Sequence, residues 1–385
     1  MYKLVYKLEA LSEMVHFQIE DATSATIRAS ELKPMFDRYL TAYLKRSKKM
    51  EDFSDLILDS NESDDAGQRE VGNQDDYLHF DYQVRIEVDH PYSNKIVQYD
   101  RSEFFFRDNK TKQEKFVLLK TEPVVHFLTP HATLASLIHE NFEYFIAISF
   151  FGYRKGKYYG QFIVKEPRSK LRREDVLKLG FSRIGREVSF VNIGMNDAKE
   201  VTPQIISNIN KNIKTVLLDV IERPDILKGK SQILRKEENI DTVIKTLKNY
   251  PLFDQIKREK HLENPGDLSV IRYVRGILGL STSVGGYEIE GEGISRIPNP
   301  VKYYLGNRFN GKIRRIHCLL DIESVKELTT FAEDKKVNFH FKGDENHQLM
   351  LPSEKEFSYS RLWGILKYLI PKMNPDYQNV KRGKR

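Results

Sequence analysis

Cysteine is almost missing from this chain: there is one, Cys318, in 385 residues. Without a second thiol no disulfide can form inside the chain, and a reducing compartment is expected. Cys318 sits in the apolar run Ile316 to Leu320, the setting of a small buried core residue rather than a nucleophile. No apolar run approaches the roughly 18 residues of a membrane span. The opening MYKLVYKLEAL alternates instead of supplying the apolar core of a signal peptide. The chain therefore reads as cytoplasmic, with no membrane partner. A serine-nucleophile elbow, an HExxH pair and a dinucleotide fingerprint are also absent. Gly180 and Gly185 have G-x-x-x-x-G spacing, but Lys-Ser/Thr does not follow, so this is no P-loop.

What is present is a folded globular composition, 40% apolar and 11% aromatic, with 62 Lys+Arg against 55 Asp+Glu and a net charge of +7. A modest positive excess fits a nucleic-acid partner without requiring one. The length suggests two or three structural units. Tyr2, Leu4, Tyr6 and Leu8 alternate with Lys3, Lys7 and Glu9, which predicts a half-buried first strand. Leu32, Phe36, Tyr39, Leu40, Tyr43 and Leu44 recur at helical spacing, with Ser30 as a candidate cap, Pro34 near the start and a basic end at Lys45, Arg46, Lys48 and Lys49. Asp59 to Asp76 carries seven acids and one base; it reads as a surface loop and lacks the ligand spacing of a calcium site. Tyr77 to Val88, Phe116 to Leu119 and Val124 to Leu128 read as strands, and Thr133 to Phe142 as a short helix.

The run Tyr144 to Phe151, the turn Gly152-Tyr153-Arg154-Lys155-Gly156-Lys157 and the run Tyr158 to Val164 read as a cationic hairpin. Its glycines permit close backbone approach, its cations suit phosphates and its tyrosines offer flat faces. The order strand, helix, strands, helix, strand is that of a ferredoxin-like unit. Pro167 to Lys178 reads as a cationic linker. Pro203 to Ile221 and Asn239 to Leu247 look helical. A second β-rich portion includes Val301 to Leu305 and Ile313 to Leu320, with helices predicted over Asp321 to Ala332 and Tyr359 to Ile370. The fold class expected is α+β: tandem ferredoxin-like (RRM-like) units with antiparallel sheets and a partly helical insertion. The corresponding division is 1–168, 169–268 and 269–385.

Two further clusters share the hairpin's chemistry. Pro300 to Arg315 holds five cations (Lys302, Arg308, Lys312, Arg314 and Arg315), three aromatics and no acid, preceded by Gly285-Gly286, Gly291, Gly293 and Arg296. Such a composition suits a groove that tracks a phosphate chain, or else a flexible loop beside a basic strand. Arg183 and Arg186 flank Gly185 in the third cluster. His16 ends the sequence of the first strand, followed by Arg28 and Lys33; it is either a satisfied core histidine, an RNA contact or a general base. His131 and His139 are eight residues apart, too far along one helix to share a metal. Neither metal nor cofactor is called for.

These features together resemble the RAMP superfamily of CRISPR-associated RNA-binding proteins. Lys7-Leu8-Glu9-Ala10-Leu11-Ser12-Glu13-Met14-Val15-His16-Phe17 is similar to the family's strand followed by Leu-Thr/Ser-Pro-hydrophobic-His, with Glu13 in place of proline. Ala25-Thr26-Ile27-Arg28-Ala29-Ser30-Glu31-Leu32-Lys33 is similar to its entry into the first helix. Phe151 to Gly160 is similar to its glycine- and arginine-rich loop, with Tyr158 where glycine is often found. Arg275 to Leu280 and Ile294 to Val301 echo the type III effector subunits, with Ser281 and Asn299 departing from that pattern. The resemblance implies CRISPR RNA and other CRISPR-associated subunits as partners. It implies Arg28, Lys33, Arg154, Lys155, Arg296 and Lys302 as residues that position the RNA; the cationic clusters add Lys157, Arg183, Arg186, Arg308, Lys312 and Arg314 to the expected RNA-binding set.

Two functional readings stand apart. One is a non-catalytic RNA-binding subunit of a type III-like effector complex. The other is a metal-independent endoribonuclease processing precursor CRISPR RNA, with His16 as base and Tyr39, Tyr43 or Lys45 as its helper. A basic scaffold that binds no nucleic acid is the remaining reading.

Overall fold

The computed structural model describes residues 1–16, 27–49, 53, 56–58, 77–88, 95–98, 115–119, 122–152, 158–195, 200–210, 283–284, 287–291, 301–321, 336–341 and 344–350. The strands are β1 (Tyr2–Ala10), β2 (Met14–His16), β3 (Gln83–Val88), β4 (Lys95–Gln98), β5 (Lys115–Leu119), β6 (Pro123–Thr129), β7 (Phe162–Val164), β8 (Phe190–Gly194), β9 (Ser283–Val284), β10 (Tyr287–Gly291), β11 (Val301–Leu305), β12 (Arg308–Phe309), β13 (Lys312–Ile313), β14 (Arg315–Leu320), β15 (Lys336–Phe341) and β16 (Asp344–Met350). The helices are α1 (Ala29–Ser47), α2 (Ala132–Ile148) and α3 (Arg173–Arg183), and residues 203–210 are also helical.

The chain divides into two compact units, neither continuous in sequence. The first comprises Met1–Ser189, Gly194–Gln204 and Tyr303–His317; the second comprises Phe190–Ile193, Ile205–Lys302 and Cys318–Arg385. In the first unit, β3, β6, β1 and β7 form one sheet in that order, with each neighbouring pair antiparallel. Taken with α1 between β1 and β3 and α2 between β6 and β7, this is a βαββαβ unit whose last strand lies beside its first, the ferredoxin-like arrangement. β2, β5 and β4 make a separate three-stranded sheet. In the second unit β16, β15, β10 and β9 form an antiparallel sheet in that order. Strands β11, β14 and β8 form a further sheet.

The alternation of β1 directs Leu4, Tyr6 and Leu8 onto the helix-covered face, while Lys3, Val5 and Lys7 face outward. From α1, Leu32, Phe36 and Leu40 meet them; from α2 come Leu134, Ile138, Phe142 and Phe145. The aromatic centre is tight: Phe36 lies 5.7 Å from Phe127 and 4.8 Å from Phe145, and Phe142 lies 4.9 Å from Phe127.

Several sequence expectations are corrected. The run Tyr144 to Phe151 is not a hairpin strand; α2 runs through Ile148, since Leu134, Leu137, Ile138, Asn141, Phe142, Phe145 and Ile146 keep helical spacing and are buried. A helix-to-strand connection takes the hairpin's place, and its returning strand starts at Phe162 rather than Tyr158. Ser30 does not cap α1: Arg28 is the cap residue, and its side chain makes no capping hydrogen bond. Pro34 lies inside that helix. The supposed linker Pro167 to Lys178 enters α3 at Arg173, which is buried. Residues 77–82 precede β3 rather than belonging to it. Asp59 to Asp76, Asn239 to Leu247, Tyr359 to Ile370 and nearly all of Asp321 to Ala332 lie outside the described residues.

Candidate nucleic-acid interface

Three stretches far apart in sequence meet at one corner of the first unit. The two ends of the cationic loop are pinned together where the Phe151 N–H donates to the Gly160 carbonyl at 2.9 Å. The Gly160 N–H donates in turn to the Glu13 carbonyl, just past β1, at 2.9 Å. Gly160 has φ +74°, and a Cβ there would lie 1.8 Å from the Phe151 carbonyl oxygen, so no other residue fits. On the opposite side, the Gly152 N–H reaches the Glu31 carboxylate in the first turn of α1, at 3.2 and 3.4 Å.

Gln161 ties this corner to the distant strand β11. Its Nε2 donates to the carbonyls of Tyr158 and Tyr303, and its Oε1 accepts from the Leu305 N–H, each at 2.9 Å. Its own N–H donates to Ser12 Oγ at 3.0 Å, while its carbonyl accepts from Leu11 and, more weakly, from Ser12. Gln161 is 1% exposed, and its bonds to Tyr303, Leu305 and Ser12 are buried, so they stand in for water that cannot enter.

The second cationic cluster folds as a short hairpin, β12–β13. Asn310 (φ 50°) and Gly311 (φ 74°) form its two-residue turn, the positive φ pair that matches the twist of two strands. Arg308 is the hairpin's anchor: Nη2 donates to the carbonyls of Ala10 and Leu11 at 3.2 and 3.1 Å, and Nε lies 3.3 Å from Glu9. The adjacent Phe309 instead faces solvent, 64% exposed, with the Arg314 guanidinium 5.8 Å from its ring centre. Lys312 and Arg315 are exposed on the same hairpin and its exit. Glu13, Glu31 and Gln161 were not anticipated as site residues from the sequence, whereas Phe309 is one of the three aromatics counted in the Pro300 to Arg315 cluster, and the Asn310-Gly311 dipeptide signals the hairpin that presents it.

The remaining candidates are dispersed. Arg28 is exposed at the start of α1. Lys33 pairs with buried Asp37 at 3.0 Å, donates to the Phe80 carbonyl at 2.9 Å and lies over the Tyr82 ring. Arg183 ends α3, and Arg186 follows three residues later. Lys302 is half-buried in the part of β11 assigned to the second unit. Arg154, Lys155, Lys157 and Arg296 lie outside the described residues. Tyr158 is half-buried and Tyr159 buried, so Tyr159 offers no open face to a base.

The sequence profile of the Cmr1 N-terminal domain matches residues 1–217. The chain belongs to the Cmr1 family. It is thereby a RAMP-superfamily protein and a subunit of a type III CRISPR complex. One similar solved structure is the apo-form crystal structure of Cmr1 from Pyrococcus furiosus, 10% identical, with a TM-score of 0.40, covering 83% of this chain and 88% of that one. The family assignment rests on the profile match. No curated protein sequence matches the chain.

For a Cmr1-family chain, the described residues give no support to a nuclease centre. His16 is not an extension of β1 but lies on the separate strand β2, in register with Val117. Tyr39 is 5% exposed, its hydroxyl faces the Gly180 carbonyl at 3.5 Å, and burial raises its pKa. It has no open path to a ribose. His131 and His139 hold separate partners, Asp81 at 3.0 Å and the Tyr6 hydroxyl at 3.1 Å. Cys318 is fully buried, and burial alone pushes its thiol pKa up. A cavity of about 260 Å³ opens beside Glu9, Lys165, Arg173 and Arg308. Its cations are already matched: Lys165 pairs with Glu122 at 2.9 Å, Arg308 with Glu9, and Arg173 donates to the Ala147 and Leu305 carbonyls. Among the described residues no helix is long and apolar enough to cross a membrane.

Proposed function

We propose that this chain binds CRISPR RNA at the corner formed by the β12–β13 hairpin and the pinned ends of the loop between Gly152 and Gly160, and does so alongside other CRISPR-associated subunits. The observation that carries the reading is Phe309: a large apolar ring, 64% exposed, on a hairpin closed by a two-residue turn and set between cations. An exposed aromatic on a stiff support stacks with an unpaired base at little entropic cost, and it accepts any base because every base has a flat face. Lys312, Arg314 and Arg315 supply charge to the backbone beside it. Arg308 holds the hairpin against Ala10 and Leu11. The RNA recognised in this way is single-stranded, and phosphate contacts set its register more than base edges do.

The test is a binding titration of the full chain with labelled single-stranded repeat RNA at several salt concentrations. Phe309→Ala is expected to weaken binding by about 1–3 kcal/mol while leaving the salt dependence unchanged. Lys312→Glu is expected to weaken binding on all sequences alike and to flatten the salt slope by about one. Absence of any salt-dependent RNA affinity at low ionic strength, or full affinity in Phe309→Ala, overturns the reading.

A further inference from the structure

We infer that the adjoining C-terminal ends of α1 and α3 form a second phosphate-binding surface for single-stranded RNA, remote from the hairpin corner; the inference rests on the RNA-binding reading above. The stretch Tyr43-Leu44-Lys45-Arg46-Ser47-Lys48-Lys49 carries four cations and no acid, and Gly180 to Arg186 carries two cations and no acid. The fold puts these stretches side by side, because a Cβ at Gly185 would lie 3.7 Å from Cδ of Arg46. Lys45, Arg46, Lys48 and Lys49 are all exposed.

Arg183 is held in place rather than left waving. Its guanidinium lies 4.3 Å from the Tyr144 ring centre and 5.4 Å from that of Tyr43, and Nη1 donates to Asn141 Oδ1 at 2.9 Å. A preset arginine loses less freedom on binding an anion. Gly185 and Arg186 close α3, their N–H groups donating to the Ser182 and Phe181 carbonyls at 3.0 Å each. Thus Gly185 ends a helix rather than cradling a phosphate, and the anion contacts fall to the side chains.

Helix termini alone do not account for so much positive charge. Two C-terminal dipole ends amount to about one negative charge, against the four cations Arg46, Lys48, Lys49 and Arg183; Lys45 and Arg186 have further contacts within the protein. Cations interleaved with the half-buried rings of Tyr43 and Tyr144 suit a nucleic-acid strand better than a carboxylate-bearing protein face. Along α1, the rise from Glu31 at the loop corner to Arg46 is about 23 Å, the length of roughly seven stacked nucleotides. A short RNA therefore reaches one surface, whereas a longer one reaches both and gains by their linkage.

The experiment compares oligouridylates of about 6 and about 20 nucleotides, titrated against the full chain, the double variant Arg46→Glu/Lys49→Glu, and Phe309→Ala. Wild type is expected to bind the longer RNA at least tenfold more tightly. The double variant is expected to lose most of that advantage and about 1.4 units of salt slope on the 20-mer, with under twofold change on the 6-mer. Phe309→Ala weakens both lengths. Equal wild-type affinity for the two lengths, or an unchanged 20-mer affinity in the double variant, overturns the second surface and leaves the hairpin reading standing. Failure of wild type to bind either RNA at low salt overturns both. If the double variant keeps its RNA affinity but loses binding to polyglutamate, the patch belongs to an acidic protein partner and the inference fails.

Discussion

Replacing Gln161 by leucine removes three hydrogen bonds and puts a somewhat shorter apolar side chain in their place. Left behind are the carbonyls of Tyr158 and Tyr303 and the N–H of Leu305, each previously met at 2.9 Å. Two of these groups, on β11, are buried, and a buried backbone group without a partner costs about 1–3 kcal/mol. The Tyr158 carbonyl is partly open to water and adds less. The expected loss is about 3–5 kcal/mol. Urea unfolding of the full chain by circular dichroism should show the first unit's midpoint fall by roughly 1–2 M. Amide exchange gives the local readout: the Leu305 N–H should lose protection well beyond the average of its sheet. Gln161→Glu sharpens the argument, since a carboxylate still accepts from Leu305 but faces two carbonyls with no proton to donate. At neutral pH it should be no better than leucine, and it should recover in part on acidification. A Gln161→Leu protein within about 1 kcal/mol of wild type, with Leu305 still protected, would refute the view that this side chain joins β11 to the loop.

Three other outcomes are expected. Gly160→Ala forces a Cβ to 1.8 Å from the Phe151 carbonyl in a left-handed backbone, so the melting temperature should fall by roughly 5 °C or more and RNA affinity should fall with it; an unchanged melt would show that the loop ends are not pinned as described. His317 is 4% exposed, and its pKa is lowered to about 4 by burial and then by Arg173. The unfolded imidazole takes up a proton below about pH 6.5 while the folded one does not, so its contribution is intact above that pH and is lost on descending toward 4; at pH 4.5 wild type should have lost about 2–3 kcal/mol more than His317→Gln, and parallel pH profiles would count against this. The Tyr82 hydroxyl donates to Asp37 at 2.6 Å, so Tyr82→Phe should cost about 2 kcal/mol, and less in an Asp37→Asn background; additive losses in the double-mutant cycle would deny the coupling.

Where local rules governed, the sequence was readable. The alternation of Tyr2 to Leu8 and the spacing of Leu32 to Leu44 report burial on one face, and their succession yields the ferredoxin-like order. The end of α2 was misread because Tyr144 to Phe151 is a short apolar run, for which strand and helix look alike. The corner itself was only half legible. Its glycine loop and cationic cluster stood out separately, but what joins them is side chain to backbone: Gln161 to Tyr303 and Leu305, Arg308 to Ala10 and Leu11. Such bonds leave no periodicity, and neither residue type advertises a partner more than a hundred positions away. Lys33 shows the converse: a lysine that looked available for phosphate is held by Asp37.

The discontinuity of the first unit sets a clock on its birth. During synthesis the N–H of Leu305 appears 144 residues after Gln161, which at about 5–20 residues per second is a wait of roughly 7–29 s. Until then the nascent unit has its helices and four-stranded sheet but an open seam. Gln161 lacks its β11 partners, the Ala10 and Leu11 carbonyls await Arg308, and buried Arg173 misses the Leu305 carbonyl. A ribosome-bound chain in that interval is expected to leave the Ala10 and Leu11 carbonyls and the Gln161 amide without these partners. A polypeptide ending before residue 303 would never leave that stage.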